Sequence, residues 1–344
     1  MIKKKLIFYQ SISEISEIIE LIKKSPYGTF IIIVTGGAAL TEVIKKIKLK
    51  KFFGVMIYEF HALKLKNPFN ILRMIFRFNY SQDVKKVLSH IYKEVFFFNF
   101  SYDFVTPIFL SKIDSKNFTF IDFYKRKLVK GRPRLKETIQ KIIVKILHIN
   151  KNISMTYDTK YNQIHYFPIG KKINEVSLIN KMPKPIFELP ILNNKKNILY
   201  FDSNEELIYG NKFKKIILKI FDLAENAGFN VIIKKHPVAE LSNCINGSKK
   251  WIYIVDPIPI ELYNLKNIQY VFGLTTLSLA KVAEKYPNII VLSFLNILGI
   301  KKNLSHMTEY LKKMMNSGVI NYPDNFNDIK KQLNLKNKKQ KTNN

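Results

Sequence analysis

The sequence predicts an α/β fold built from two doubly wound domains. Short β-rich apolar runs alternate with amphipathic segments, and the alternation fades between residues 150 and 196 before it restarts. The 344 residues are enough for two cores of roughly 150 residues each.

In the first half, Lys5 to Tyr9 reads as a strand and Ser13 to Lys24 as a helix. The run Phe30 to Thr35 follows as a strand, with a helix from Leu40, a strand from Phe53 to Tyr58 and a helix over Asp83 to Glu94. Val95 to Phe100 and Phe118 to Phe123 supply further strands, and Leu135, Ile139, Ile142, Ile143, Ile146 and Leu147 recur at helical spacing. Pro168, Pro183, Pro185 and Pro190 then interrupt the pattern as an interdomain connection does. The boundary falls near 190, giving domains at 1–190 and 191–330 and a frayed basic tail at 331–344. The second half has strands at Asn197 to Asp202, Val231 to Lys235, Trp251 to Val255, Ile268 to Phe272 and Asn288 to Phe294. Helices run from Lys212 to Ala227, closed by Gly228, and from near Thr275.

Apolar residues make up 47% of the chain, with 26 Phe and 18 Tyr to anchor cores, which excludes a disordered protein. The excess of 57 Lys and Arg over 26 Asp and Glu gives +31, a charge that favours an anionic partner or solvates a Lys-rich surface. A single cysteine, Cys244, excludes an intrachain disulfide framework and reads as an incidental loop thiol in a reducing compartment. The start, Met1-Ile-Lys-Lys-Lys, carries too short an apolar run for a signal peptide, and no stretch is long and apolar enough to span a bilayer. The expected location is the cytoplasm, with any membrane contact peripheral.

The segment that carries chemistry lies between residues 234 and 286. Lys234-Lys235-His236-Pro237 follows directly on a strand, and ligands of open α/β sheets bind at the carboxyl ends of strands. Pro257-Ile-Pro259-Ile-Glu261 comes next, and Gly273-Leu-Thr275-Thr276-Leu-Ser278 then joins a strand to a helix. Hydroxyls at a helix start cap its amides, and those amides with the helix dipole form an anion site. Singly, Thr275 reads as a cap and Glu261 as a solvated helix residue; in this order they fit a nucleotide lying across successive strand ends. Thr35-Gly36-Gly37-Ala38-Ala39 also links a strand to a helix, either as a tight turn or as a loop shaping an acceptor site.

With Lys235-His236-Pro237, Pro259-Ile-Glu261 and Leu274-Thr275-Thr276, the chain resembles the bacterial sialyltransferase and polysialyltransferase group that builds capsules and lipooligosaccharide caps. The resemblance covers the second half, and the first half only by layout. It implies a GT-B type fold of two Rossmann-like domains facing a cleft, a CMP-sialic acid donor and inverting transfer to a glycan or glycolipid acceptor. It implies no metal and no cofactor. His236 would contact the donor phosphate and help the nucleotide leave, with Lys235, Pro237, Gly273, Thr275, Thr276 and Ser278 around it and Glu261 on the ribose or base. The group's general base sits in an acidic pair before a glycine in the first domain. Here Phe120-Ile-Asp122-Phe123 has one acid and no glycine, so Asp122 is the candidate base, with Asp103 and Glu59 as substitutes. Gly36 and Gly37 fall on the acceptor side. No Asp-x-Asp triplet or metal-ligand spacing occurs.

Lys125, Arg126, Lys127, Lys130, Arg132, Arg134, Lys136, Lys141 and Lys145 cluster on and before the amphipathic segment ending at Leu147. They form either a solvated helix face or a surface for anionic headgroups or an acidic polymer. Three rivals stay open: a related capsule or teichoic-acid transferase using another cytidine nucleotide, a catalytically silent scaffold, and a polyanion-binding protein. Against nucleic acid, the basic residues are spread along the chain and no recognition module is present.

Overall fold

The structure, a computed structural model, describes residues 4–24, 29–36, 38–48, 55–60, 81–98, 105–122, 153–158, 163–177, 185–190, 196–237, 239–274, 276–299 and 318–339, with single helical positions at 73, 76, 142 and 145. The chain divides into two compact units, Met1–Pro183 and Lys184–Asn344.

Unit 1 opens with strand β1 (Lys4–Tyr9), followed by a 3-10 turn at Ile12–Glu14 and helix α1 (Ile15–Lys23). Ile15, Ile18, Ile19 and Ile22 recur at the spacing of one helical face, and all are buried. Strand β2 (Phe30–Val34), helix α2 (Ala38–Ile47) and strand β3 (Met56–Glu59) complete the first half of the sheet. Helix α3 (Gln82–Leu88), strand β4 (Ile91–Phe97), helix α4 (Val105–Lys112), strand β5 (Asp114–Ser115) and strand β6 (Asn117–Asp122) continue it. A hairpin of β7 (Ile153–Asp158) and β8 (Gln163–Pro168) precedes β9 (Lys172–Ser177).

The sheet runs β3-β2-β1-β4-β6-β9 with every pairing parallel, and β5 pairs beside β4. Counted along that path, the order is 3-2-1-4-5-6, the doubly wound order with its switch point between β1 and β4. Leu6, Phe8, Ile31, Ile33, Val95, Phe97, Phe118 and Phe120 pack on one face with Val84, Val105 and Phe109. Ile7 and Tyr9, which alternate with Leu6 and Phe8 along β1, are buried as well.

Unit 2 contains β10 (Phe187–Glu188), β11 (Lys196–Asp202), helix α5 (Glu206–Asn226), β12 (Phe229–Lys235) and β13 (Ile252–Ile254). A 3-10 turn at Ile260–Leu262 leads through β14 (Tyr263–Asn264) to β15 (Ile268–Gly273), helix α6 (Leu277–Lys285), β16 (Ile290–Ser293), helix α7 (Leu295–Leu298) and helix α8 (Phe326–Lys339). Its sheet, β13-β12-β11-β15-β16, is parallel throughout and follows the order 3-2-1-4-5. Ile198, Tyr200, Val231, Ile233, Tyr270 and Phe272 pack with Phe213, Ile217, Ile220, Phe221 and Ala224 of α5. Both units are therefore Rossmann-like.

Several expectations need correction. The helix expected over Asp83 to Glu94 stops at Leu88, and β4 already starts at Ile91. Tyr92 donates its hydroxyl to the Val87 carbonyl at 2.7 Å, which ties the strand start to the helix end. In place of the irregular connection expected between 150 and 196, the described residues hold the β7–β8 hairpin and the edge strand β9, which adds to β6 from Asn117↔Lys172 to Asp122↔Ser177. The division falls at Pro183/Lys184 rather than near 190, because Phe187 and Glu188 pair with Tyr263 and Asn264 of unit 2. Residues 331–339 of the expected tail continue α8, where Ile329 and Leu333, four residues apart, join the unit 2 core. The basic segment 125–147 lies outside the described residues except for helical positions at Ile142 and Lys145.

Candidate active site

The switch point of unit 2 lies between β11 and β15, and the carboxyl ends of its strands carry most of the polar residues singled out by the sequence. β12 ends at Lys235, and His236 and Pro237 follow, half-buried. Burial, with the Lys234 charge as a second cause, holds the His236 imidazole below its ordinary pKa, so the ring is neutral at pH 7. A neutral imidazole carries one N–H donor and one acceptor.

The two lysines differ. Lys235 pairs with Glu240 at 3.1 Å near the surface. Lys234 is turned inward: its ammonium donates to the Asp256 carbonyl at 2.6 Å and to the Lys235 carbonyl at 3.2 Å, and lies 3.8 Å from Asp256 Oδ1. It clamps the end of β12 to the loop after β13 instead of facing a phosphate. That loop is set further by the Asp256 carboxylate, which accepts from the Ile258 amide at 3.0 Å and the Tyr263 hydroxyl at 2.6 Å.

On the other side of β11, Gly273 closes β15 and its carbonyl accepts from the Phe294 amide at 3.1 Å. Ser293 donates to the Leu274 carbonyl at 2.7 Å, so the turn into α6 is held by the neighbouring strand end. Thr276 is the N-cap of α6, its hydroxyl accepting from the Ser278 amide at 3.3 Å. Thr275 lies outside the described residues. Glu261 sits in the 3-10 turn, 5% exposed, and pairs with Lys281 of α6 at 2.7 Å. It is thus a buried ion-paired residue, not a solvated one, and its second oxygen has no hydrogen-bond partner among the described residues.

Sequence reasoning missed an acidic cluster at the end of the central strand. Asp202, 1% exposed, accepts from the Ser242 amide at 2.8 Å and the Ser242 hydroxyl at 2.7 Å. Glu205, 5% exposed, accepts from the Ser203 amide at 3.0 Å, while its Oε1 has no hydrogen-bond partner among the described residues. Burial pushes the Glu205 carboxyl up to about 7, and the nearby Asp202 adds to the rise. Burial also raises Asp202, against the opposing bonds from Ser242. The Tyr200 phenol beneath them is raised by burial first and by Glu205 next. The signal available in the sequence was a polar residue closing an apolar strand, which reads equally as an ordinary strand end.

In unit 1, Gly36 follows β2 at its carboxyl end, and Gly37 lies outside the described residues. A Cβ on Gly36 would stand 2.7 Å from the Gln10 carbonyl oxygen, so glycine is required there by the approach of two strand-end loops. Asp122 closes β6 at its carboxyl end, opposite Ser177 of β9. Glu59 closes β3 and is exposed, whereas Asp103 lies outside the described residues. Among the described residues there is no group of three or more His, Cys, Asp and Glu that could hold a metal ion, and no helix long and apolar enough to cross a membrane.

No family model matches the chain, and no curated protein matches it in sequence. Similar solved structures include the S. aureus MnaA–UDP co-structure, 11% identical over 92% of this chain and 88% of that one, with a TM-score of 0.45. The glycotransferase of kitacinnamycin is 6% identical over 94% and 86%, with a TM-score of 0.47. UDP-GlcNAc 2-epimerase from Neisseria meningitidis bound to UDP-GlcNAc is 13% identical over 99% and 100%, with a TM-score of 0.42.

Proposed function

We propose that the chain is a glycosyltransferase that takes its donor on unit 2, and that this donor is a cytidine nucleotide sugar, CMP-sialic acid, used without a metal and with inversion. The observation that carries the reading is the carboxyl edge of the second sheet. There a half-buried neutral His236 and the Thr276-capped start of α6 flank the switch strand β11 from either side, about 10 Å apart by strand spacing. One ring N–H and the positive end of a helix are suited to a phosphate that gains negative charge as it leaves. The resemblance in Lys235-His236-Pro237, Pro259-Ile-Glu261 and Leu274-Thr275-Thr276 names cytidine and sialic acid.

In this mechanism the acceptor hydroxyl oxygen bonds to the anomeric carbon from the face opposite the phosphate. The carbon–phosphate oxygen bond breaks, and CMP departs with the electron pair. His236 donates a hydrogen bond to the departing phosphate, and the amide dipoles of α6 stabilise it, more in the transition state than in the ground state. The hydroxyl proton passes to a carboxylate of unit 1, for which Asp122 at the end of β6 is the candidate. Glu261, oriented by Lys281, takes the nucleoside. The acceptor is a lipooligosaccharide or capsule glycan, and Gly36 and Gly37 belong to its side.

Release of CMP from CMP-sialic acid, followed with and without a galactoside acceptor, tests the reading. Wild type is expected to release CMP, His236→Ala to lose about 100-fold or more, and Asp122→Asn to lose transfer while keeping slow hydrolysis. Release from another cytidine nucleotide sugar alone would replace sialic acid by that group. No release from any would remove the catalytic assignment.

A further inference from the structure

Leu207 and Ile208 stand apart from the other apolar residues of unit 2, at 79% and 73% exposure. They occupy the first turn of α5, which is set off between two left-handed backbone positions, Asn204 at φ 57° and Gly210 at φ 53° with ψ −137°. The turn is held in its orientation by its own acids. Glu205 binds the Ser203 amide at 3.0 Å, and Glu206 accepts from the Cys244 amide at 2.8 Å. Tyr209 packs against the core from the same turn. With those residues facing inward, the adjacent aliphatic pair faces water.

Val255, 61% exposed, follows β13 at the same carboxyl edge of the sheet, two strands from β11 and so roughly 10 Å along it. The turns of α5 beyond Gly210 expose Lys214 and Lys215, which have no ion pair among the described residues. The whole chain carries +31. Exposed adjacent aliphatic side chains beside amines match a surface that is anionic above and apolar below. Nucleic acid has the charge without the apolar layer.

We infer that Leu207 and Ile208, with Val255 beside them and Lys214 and Lys215 behind, dock unit 2 onto an anionic lipid surface. The two aliphatic side chains enter the boundary between headgroups and acyl chains, and the lysines meet the headgroups. The docking does not depend on the donor chemistry proposed above, although the patch shares the carboxyl edge of the second sheet with His236.

Flotation with phosphatidylcholine vesicles, with and without phosphatidylglycerol, tests it on the full chain. Wild type is expected to float with the anionic vesicles. Leu207→Ser/Ile208→Ser is expected to bind them roughly tenfold or more weakly, and Lys214→Glu/Lys215→Glu more weakly than wild type. Ile91→Ser, which removes a side chain 72% exposed at the amino end of β4 in unit 1, should float like wild type. Equal binding by wild type and the aliphatic double variant overturns the inference. So does a concentration-dependent dimer that the double variant disperses, because a second copy would then be the occupant. If the double variant fails to fold, Ile208→Cys carrying an environment-sensitive fluorophore reads the same contact. Burial pushes the Cys244 thiol up to about 12, which leaves it poorly reactive. A blue shift with anionic vesicles supports insertion, and unchanged emission overturns it.

Discussion

The two units share a strand order and differ in what they place at its carboxyl edge. In each, a buried glutamate just past the central strand grips the amides of the loop. Glu14 accepts from Gln10 and Ser11 at 2.7 and 3.0 Å, and Glu205 accepts from Ser203 at 3.0 Å. Around Glu14 the neighbouring strand end supplies a hydroxyl and a glycine, Thr35 and Gly36. Beside Glu205 stand Asp202 and Tyr200, and on the next strand Lys235 lies opposite Asp202 with His236 following it. Beside its central strand, one frame thus carries a buried glutamate with a hydroxyl and a glycine in unit 1, and a buried glutamate with a second buried carboxylate in unit 2.

Removing the carboxylate of Asp202 is the sharpest way to break the contrast. Asp202→Ala strands the amide and hydroxyl of Ser242 in the interior, an expected loss of about 3 kcal/mol, read by urea unfolding. A loss below about 1 kcal/mol would mean that the cluster does not hold the edge together.

Glu205 gives the contrast its pH dependence. Its folded pKa of about 7 lies above the ordinary 4.5, so the folded state binds the proton more tightly than the unfolded one. Its contribution is fully present below about pH 4.5 and is lost as pH rises through about 7, a fall of about 3 kcal/mol across that window. Glu205→Gln keeps an acceptor for the Ser203 amide and removes the titration. It is expected to raise the melting temperature at pH 8 and change little at pH 5. A variant destabilised equally at both pH values would show that the carboxyl is not held neutral.

The smallest expected effect is at the cap. Thr276→Ala removes the acceptor of the Ser278 amide and should cost about 1 kcal/mol in thermal unfolding. An unchanged melting temperature would mean that the start of α6 is held by its neighbours alone.

Elements buried on both faces were legible, because a run such as Phe30 to Val34 is apolar throughout only when helices cover both sides of a parallel sheet. β9 was not legible: Lys172, Asn174 and Glu175 are exposed on an edge strand, and little apolar pattern remains. α8 was hidden for the same reason, since its hold on the core among the described side chains comes through Phe326, Ile329 and Leu333 in a Lys- and Asn-rich stretch. At the candidate site, His236 and Thr276 could be placed because each follows a strand in sequence. The inward turn of Lys234 onto Asp256, the pairing of Glu261 with Lys281 and the grip of Asp202 on Ser242 could not. Each joins residues about 20 to 40 positions apart, which only the packed sheet brings together.

The central claim is that unit 2 holds a cytidine nucleotide through His236, and a thermal-shift titration tests it most directly. Wild type and His236→Ala are melted with cytidine, uridine and guanosine monophosphates, since a ligand that binds the native state raises its melting temperature. The expected result is stabilisation by the cytidine nucleotide alone, by about 2.7 kcal/mol at a hundredfold excess over Kd, and its loss in His236→Ala. No shift with any nucleotide, or an equal shift in His236→Ala, would contradict the assignment.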